Sequence, residues 1–166
     1  MNELLRMDKK RKKRLPRFQM LLRKAQGGGR YVIRQFYRFL YRCEAKKLHI
    51  EISTNCNIGG GLYIGHAYCI TINAEARIGK NCNIHKGVTI GQENRGERKG
   101  CPIIGDEVWI GINATIVGKV KIGNDVLIAP NSYVNCDIPD HSVVFGNPCI
   151  IKHRENATEG YINNKA

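Results

Sequence analysis

From residue 52 onward, large aliphatic side chains recur every six positions, at Ile52, Ile58 and Ile64, then Ile72, Ile78, Ile84 and Ile90, then Ile104 through Val134. The fifth position of each hexad is small: Ala76, Cys82, Val88, Val108, Ala114, Val120, Val126 and Ser132. A helix would repeat its apolar positions every 3.6 residues and an ordinary strand every two, so neither template fits a strict six. A solenoid fits. Short strands turn a corner every six residues and stack so that each coil buries the face of its neighbour. The pattern predicts about five coils over residues 50–151. Frequent Gly or Asn in second position (59, 65, 73, 79, 91, 105, 111 and 123) is expected to supply corner backbone angles that a Cβ disfavours.

The register breaks twice. Ile64 to Ile72 is a step of eight, which widens the corner at HAYC (66–69), and QENRGERKGCP (92–102) is a longer excursion. Regular layers make no pocket, so chemistry is expected at the interruptions. Inside the register, Cys56 and Cys82 read as core filler. His85 reads as an outward surface or interface histidine, and Trp109 as an outward or interface residue.

Charge separates the chain into parts. Residues 1–47 hold 16 Lys/Arg against 3 Asp/Glu, and the remainder holds 11 of each, so the net charge of +13 belongs to an N-terminal arm. Three domains follow: an arm (1–49), a β-helix (50–151) and a tail (152–166). The arm contains KKRKKR (9–14), a GGG break (27–29) and a helix over 30–47. In that helix Arg30, Arg34, Arg38 and Arg42 form a stripe opposite Ile33, Phe36, Tyr37, Phe39 and Leu40. Two readings stay open: a helix lying on an anionic membrane surface, or one packed on the β-helix end or a neighbouring subunit. Residues 1–29 are expected to be removable without loss of catalysis. No nucleic-acid recognition motif accompanies the charge. Seven cysteines without a CxxC pair argue for reduced thiols, and no apolar stretch suits a membrane span or leader, which points to the cytoplasm.

IEISTNCNIGGGLYIGHAYCITINAEARIGKNCNIHKGVTIG, with the hexads and the closing VVFGNPCII (143–151), resembles the serine acetyltransferase branch of the hexapeptide-repeat acyltransferases. The resemblance implies a mainly β fold, a left-handed parallel β-helix, and a homotrimer with acetyl-CoA as co-substrate and no metal. Members of that branch carry an acidic-Ile motif fifteen residues before a catalytic histidine in a widened corner, and Glu51 and His66 match both. His66 is then the base that takes the acceptor hydroxyl's proton, and Glu51 the carboxylate that steadies the imidazolium. Carried over position by position, Gly91, Gln92, Gly111, Ile112, Ala129 and Pro130 would line the thioester and pantetheine path.

The match departs at the acceptor. Gly65 and the pair Gly100 and Cys101 stand where the family places an aspartate and an Arg-His pair to hold the serine zwitterion. Gly65 and Cys101 are therefore read as acceptor-binding positions in a neutral pocket suited to a sugar or surface-glycan precursor, with L-serine as the alternative. Two rivals come from other classes. A γ-carbonic anhydrase-like zinc site would use His66 and His85, nineteen residues apart, but lacks a closely spaced third histidine. A non-catalytic scaffold would bind no coenzyme A.

Overall fold

The computed structural model describes residues 2–11, 14–162 and 165–166; Lys12 and Lys13 of the basic run lie outside the described residues. Helices α1 (Glu3–Arg11), α2 (Arg17–Gln26) and α3 (Tyr31–Lys47) precede fifteen short strands. The strands stack on three faces. The first face holds β1 (Glu51–Ile52), β4 (Thr71–Ile72), β7 (Thr89–Gly91), β10 (Thr115–Val117) and β13 (Tyr133–Val134). The second holds β2 (Asn57–Ile58), β5 (Arg77–Ile78), β8 (Ile103–Ile104) and β11 (Lys121–Ile122). The third holds β3 (Tyr63–Gly65), β6 (Asn83–His85), β9 (Trp109–Ile110), β12 (Val126–Ile128), β14 (Ser142–Phe145) and β15 (Ile150–His153). All neighbours run parallel except β15, which turns back on β14. The result is a left-handed parallel β-helix of about five coils.

The hexad positions make the core. Every first-position aliphatic from Ile52 to Val134 is buried, and so are the small fifth-position residues. Cys56 and Cys82 are core filler, with burial as the largest cause pushing their thiols up to about 11 and about 12.

The second-position glycines play a different part from the one expected. Left-handed backbone falls at the fourth position instead, at Asn81, Glu107, Asn113, Asp125 and Asn131. What the second position needs is clearance. A Cβ on Gly79 would lie 2.4 Å from the Gly105 carbonyl oxygen of the next coil. Coils stacked at strand spacing leave no room there for a side chain.

The N-terminal segment is fixed to the coils by buried charge. Asp8 and Arg23 have no exposed surface and pair at 2.8 Å. Arg23 also donates to the carbonyls of Ile58 (2.8 Å) and Gly59 (2.6 Å), while Asp8 accepts from the Leu62 N–H at 3.0 Å. Gln19 bridges Asp8 and the Leu62 carbonyl. Arg11 donates to the Gly61 carbonyl and to Asn83. Backbone groups at the coil edge 58–62 are thus satisfied by side chains of α1 and α2. Helices α1 and α2 therefore belong to the folded body and not to a solvated arm, and removing them would orphan these carbonyls.

Helix α3 packs on the first coil, as the second of its two sequence readings has it, but with two of its arginines turned toward the body instead of solvated. Tyr41 and Ala45 are buried against the coils, and the Tyr41 hydroxyl donates to the Ile52 carbonyl at 2.7 Å. Arg34 and Arg38 are half-buried on that side of the helix, each with its Nε shielded from solvent. The apolar residues Val32, Phe36 and Phe39, spaced along the opposite side, are exposed at 76%, 57% and 62%. Arg34 and Arg38 thus lean toward the body while Phe36 and Phe39 face out, and Tyr37 and Leu40 pack on the core.

Candidate functional site

Strand registers place several of the sequence-selected positions in one row along the edge between the third and first faces. Gly65 pairs with His85, and the pairings of Ile84 with Ile110 and of Ile110 with Ile128 carry the row on to Gly111 and Ala129. At this edge the corners turn alike: the N–H of Asn113 donates to the Lys86 carbonyl and that of Asn131 to the Ile112 carbonyl. The Gly87 N–H donates to the Tyr68 carbonyl in the same manner, at 3.1 Å. Tyr68 therefore aligns with Lys86 and Ile112, and Cys69 with Gly87, Asn113 and Asn131, all of positive φ. The two residues left over are His66 and Ala67. They are the insertion, and His66 itself takes a left-handed conformation, φ 52°, with its side chain exposed.

The corner is pinned on its other side. The Cys69 N–H donates to the Leu48 carbonyl just past α3, at 3.0 Å, and Tyr68 meets His49 edge to face with ring centres 5.3 Å apart. Glu51 begins β1 opposite Thr71, with its side chain exposed. Among the described residues no side-chain hydrogen bond joins Glu51 and His66; what the structure brings together is the corner, through Cys69, and Glu51, as walls of one cleft.

Gly91 and Gln92 lie at the other end of the first-face strands, where Gly91 pairs with Val117. A Cβ on Gly91 would meet only Val117 Cγ1 at 3.4 Å and Thr89 Cγ2 at 3.9 Å, so this position has ordinary space. Gln92 accepts from Asn73 at 3.1 Å and donates to Asn94 at 2.7 Å. Gly111 is a stacking glycine, since a Cβ would lie 2.6 Å from the Pro130 nitrogen. Ile112 and Ala129 are half-buried and Pro130 exposed on the edge.

The two acceptor positions have structural occupations. A Cβ on Gly65 would lie 2.5 Å from His85 Nδ1, so the missing side chain at 65 is clearance for the neighbouring imidazole. Cys101 packs against the coil core, and burial together with Glu75 pushes its thiol up. His85, read from sequence as a surface or interface residue, is half-buried within a file of rings. Tyr63 lies 6.2 Å and Trp109 4.8 Å from it, and Tyr161 of the C-terminal tail covers Trp109 at 5.0 Å. Burial, and then the nearby His66, hold the His85 imidazole below the usual histidine range. The available sequence signal was the glycine at 65, which only its strand neighbour explains.

The tail is tied down by Asp125, which accepts from the Ala157 and Thr158 N–H groups and from the Thr158 hydroxyl at 2.6 Å, and bonds His141 Nδ1 at 2.9 Å. Among the described residues, no group of three His, Cys, Asp or Glu side chains could hold a metal ion, and no helix is long and apolar enough to cross a membrane.

Residues 101–136 match the family model described as bacterial transferase hexapeptide (six repeats). The serine acetyltransferase of Staphylococcus aureus is 36% identical over 111 residues, 67% of this chain and 52% of that protein. The Staphylococcus xylosus enzyme of the same name is 38% identical over 99 residues, 60% of this chain and 46% of the relative. The chain thus spans about half the length of the curated relatives it matches. Among solved structures, the soybean serine acetyltransferase apoenzyme superposes with a TM-score of 0.70 at 29% identity, over 89% of this chain and 65% of that one. The Neisseria gonorrhoeae serine acetyltransferase in complex with serine gives 0.64 at 30%, over 81% and 53%. The six-residue register, the match to the repeat model and the shared fold make this chain a left-handed β-helix protein of the hexapeptide-repeat type, similar to serine acetyltransferases.

Proposed function

We propose that this protein is an acetyl-CoA-dependent O-acetyltransferase. The observation that carries the reading is the insertion of His66 and Ala67, which lifts an exposed imidazole out of the coil at the head of the row Gly111 and Ala129. In this reading the imidazole takes the acceptor hydroxyl's proton as the oxygen attacks the thioester carbonyl, and returns it to the thiolate when the carbon–sulfur bond breaks. Glu51 supplies the carboxylate that orients the ring once the acceptor is bound, since hydrogen bonds of this kind are often open in the unliganded protein. Gly91, with ordinary space above it, and the Ile112 and Pro130 edge would line the coenzyme, in a groove completed by a second subunit of a homotrimer.

L-serine is the acceptor favoured by the names of the relatives, and a protein bearing that name was solved with serine bound. A sugar hydroxyl is a second reading, supported by the absence of charge at Gly65, Gly100 and Cys101. Thiol release from acetyl-CoA, measured with L-serine and with a panel of sugars, tests both. Release with neither would overturn acetyl transfer. For the cell, the reading places the enzyme in the cytoplasm. A peripheral membrane role would rest on exposed Val32, Phe36 and Phe39 rather than on the arginine stripe, and anionic vesicles at low salt test it.

A further inference from the structure

The last turns of α3 and the first coil flank an open cleft of about 760 Å³ whose walls include Arg42, Lys46, His49, Glu51, Ser53 and Thr71. Cys69 of the widened corner forms part of the same wall, so the cleft opens beside the insertion that carries His66. Arg42 and Lys46 are spaced four residues apart on one helix face, both exposed, and neither has an ion-pair partner among the described residues. The carboxylate among the lining residues is Glu51, which the proposed mechanism commits to the imidazolium. Two exposed cations against one carboxylate thus line a concave space, and a cleft lined with excess charge of one sign concentrates ions of the other. The excursion 92–102, meanwhile, brings Gly100 and a core-packed Cys101 where a charged handle would be expected.

We infer that the acceptor carries an anionic group, a carboxylate or a phosphate, and that Arg42 and Lys46 hold it while its hydroxyl reaches the His66 corner. The inference rests on the acetyl-transfer reading for the hydroxyl but not for the anion. Helix α3 thus does the work of charge recognition that the loop has given up. An amino acid and an acidic or phosphorylated sugar share this chemistry, and a neutral sugar lacks it.

The test is equilibrium binding to the full-length protein by calorimetry, with matched probes: L-serine against L-serinamide, and D-glucuronate and glucose 1-phosphate against D-glucose. At least one anionic probe should bind more tightly than its neutral counterpart, and the member that does identifies carboxylate or phosphate. Replacing Arg42 and Lys46 together by Ala should weaken that probe about ten- to a hundredfold, the usual worth of a charge-assisted hydrogen bond. Arg42→Lys should recover part of the loss, and Arg77→Ala on the second face should change nothing. Equal binding of charged and neutral probes, no binding of any anionic probe, or wild-type affinity in the double variant would overturn the inference. Anion binding without thiol release from acetyl-CoA would instead leave the cleft standing and remove the acetyl-transfer reading.

Discussion

Two kinds of corner share one edge of this β-helix. At Asn113 and Asn131 a single left-handed residue turns the chain and bonds to the coil beside it, at 3.1 and 2.9 Å. At the widened corner Cys69 keeps that left-handed position and the same bond, its N–H going to the Leu48 carbonyl of the entering chain at 3.0 Å, but His66 and Ala67 are pushed outside the stack. The same backbone device thus builds either a layer or a site, and two residues decide which. Both corners give their backbone bond to the layer before them, and only the widened one adds two residues that carry an exposed imidazole.

The sharpest way to break this contrast is to replace the odd corner's side chain and compare it with an ordinary one. His66→Ala should lower acetyl transfer by about 10²- to 10⁴-fold, roughly 3–5 kcal/mol of barrier, with the melting temperature little changed. Asn113→Ala should leave the rate alone and cost about 1 kcal/mol, the strain of a left-handed alanine. Deleting His66 and Ala67 together restores the six-residue step, so the protein should fold and be inactive. Turnover by the deletion protein would end the claim that the insertion is the site.

A third edge, residues 58–62, relies on neither pattern, because Arg11, Arg23 and Asp8 close it. Asp8→Ala would leave Arg23 buried and unpaired, and about 3–5 kcal/mol of unfolding free energy should be lost in denaturant melts. A loss below about 1 kcal/mol would mean that the helices merely rest on the coils.

Gly65→Asp tests whether the departure from the serine acetyltransferase pattern is about the acceptor or about His85. Placing the carboxylate against the imidazole should destabilise by about 1–3 kcal/mol, and His85→Ala in the same chain should recover much of it. Additive losses would show that position 65 and His85 do not share the space.

The smallest effect concerns the tail that caps Trp109. Burial raises the Asp125 carboxyl, but hydrogen bonds from Thr158 and His141 outweigh it and hold the group below its ordinary value. A depressed carboxyl contributes stability that is present above its unfolded value and lost as pH falls through the folded one. His141 is raised, chiefly by its bond to Asp125, and so contributes below its unfolded value and loses that as pH rises. Trp109 fluorescence should therefore change on acidification below the carboxylate range, before the coils unfold. An Asp125→Asn protein that shows the same transition would exclude this cause.

The hexads determined the coils without help from anything distant, because each strand buries the same two positions in every turn and a period of six has one geometric solution. The widened corner was legible too, as a counting error in that period. What the period could not carry was the identity of neighbours. Gly65 looks like a lost aspartate until His85, twenty residues further along the chain, is found beside it. Asp8, Arg11 and Arg23 look like parts of a solvated basic arm until the carbonyls of Ile58, Gly59 and Gly61 and the Leu62 N–H are brought to them. Likewise Arg42 and Lys46 of α3 come to share a cleft with Glu51 and Cys69 only in the folded chain. Repetition is local and can be read along the chain; desolvation and charge compensation depend on which groups meet, and that is settled only when the chain has folded.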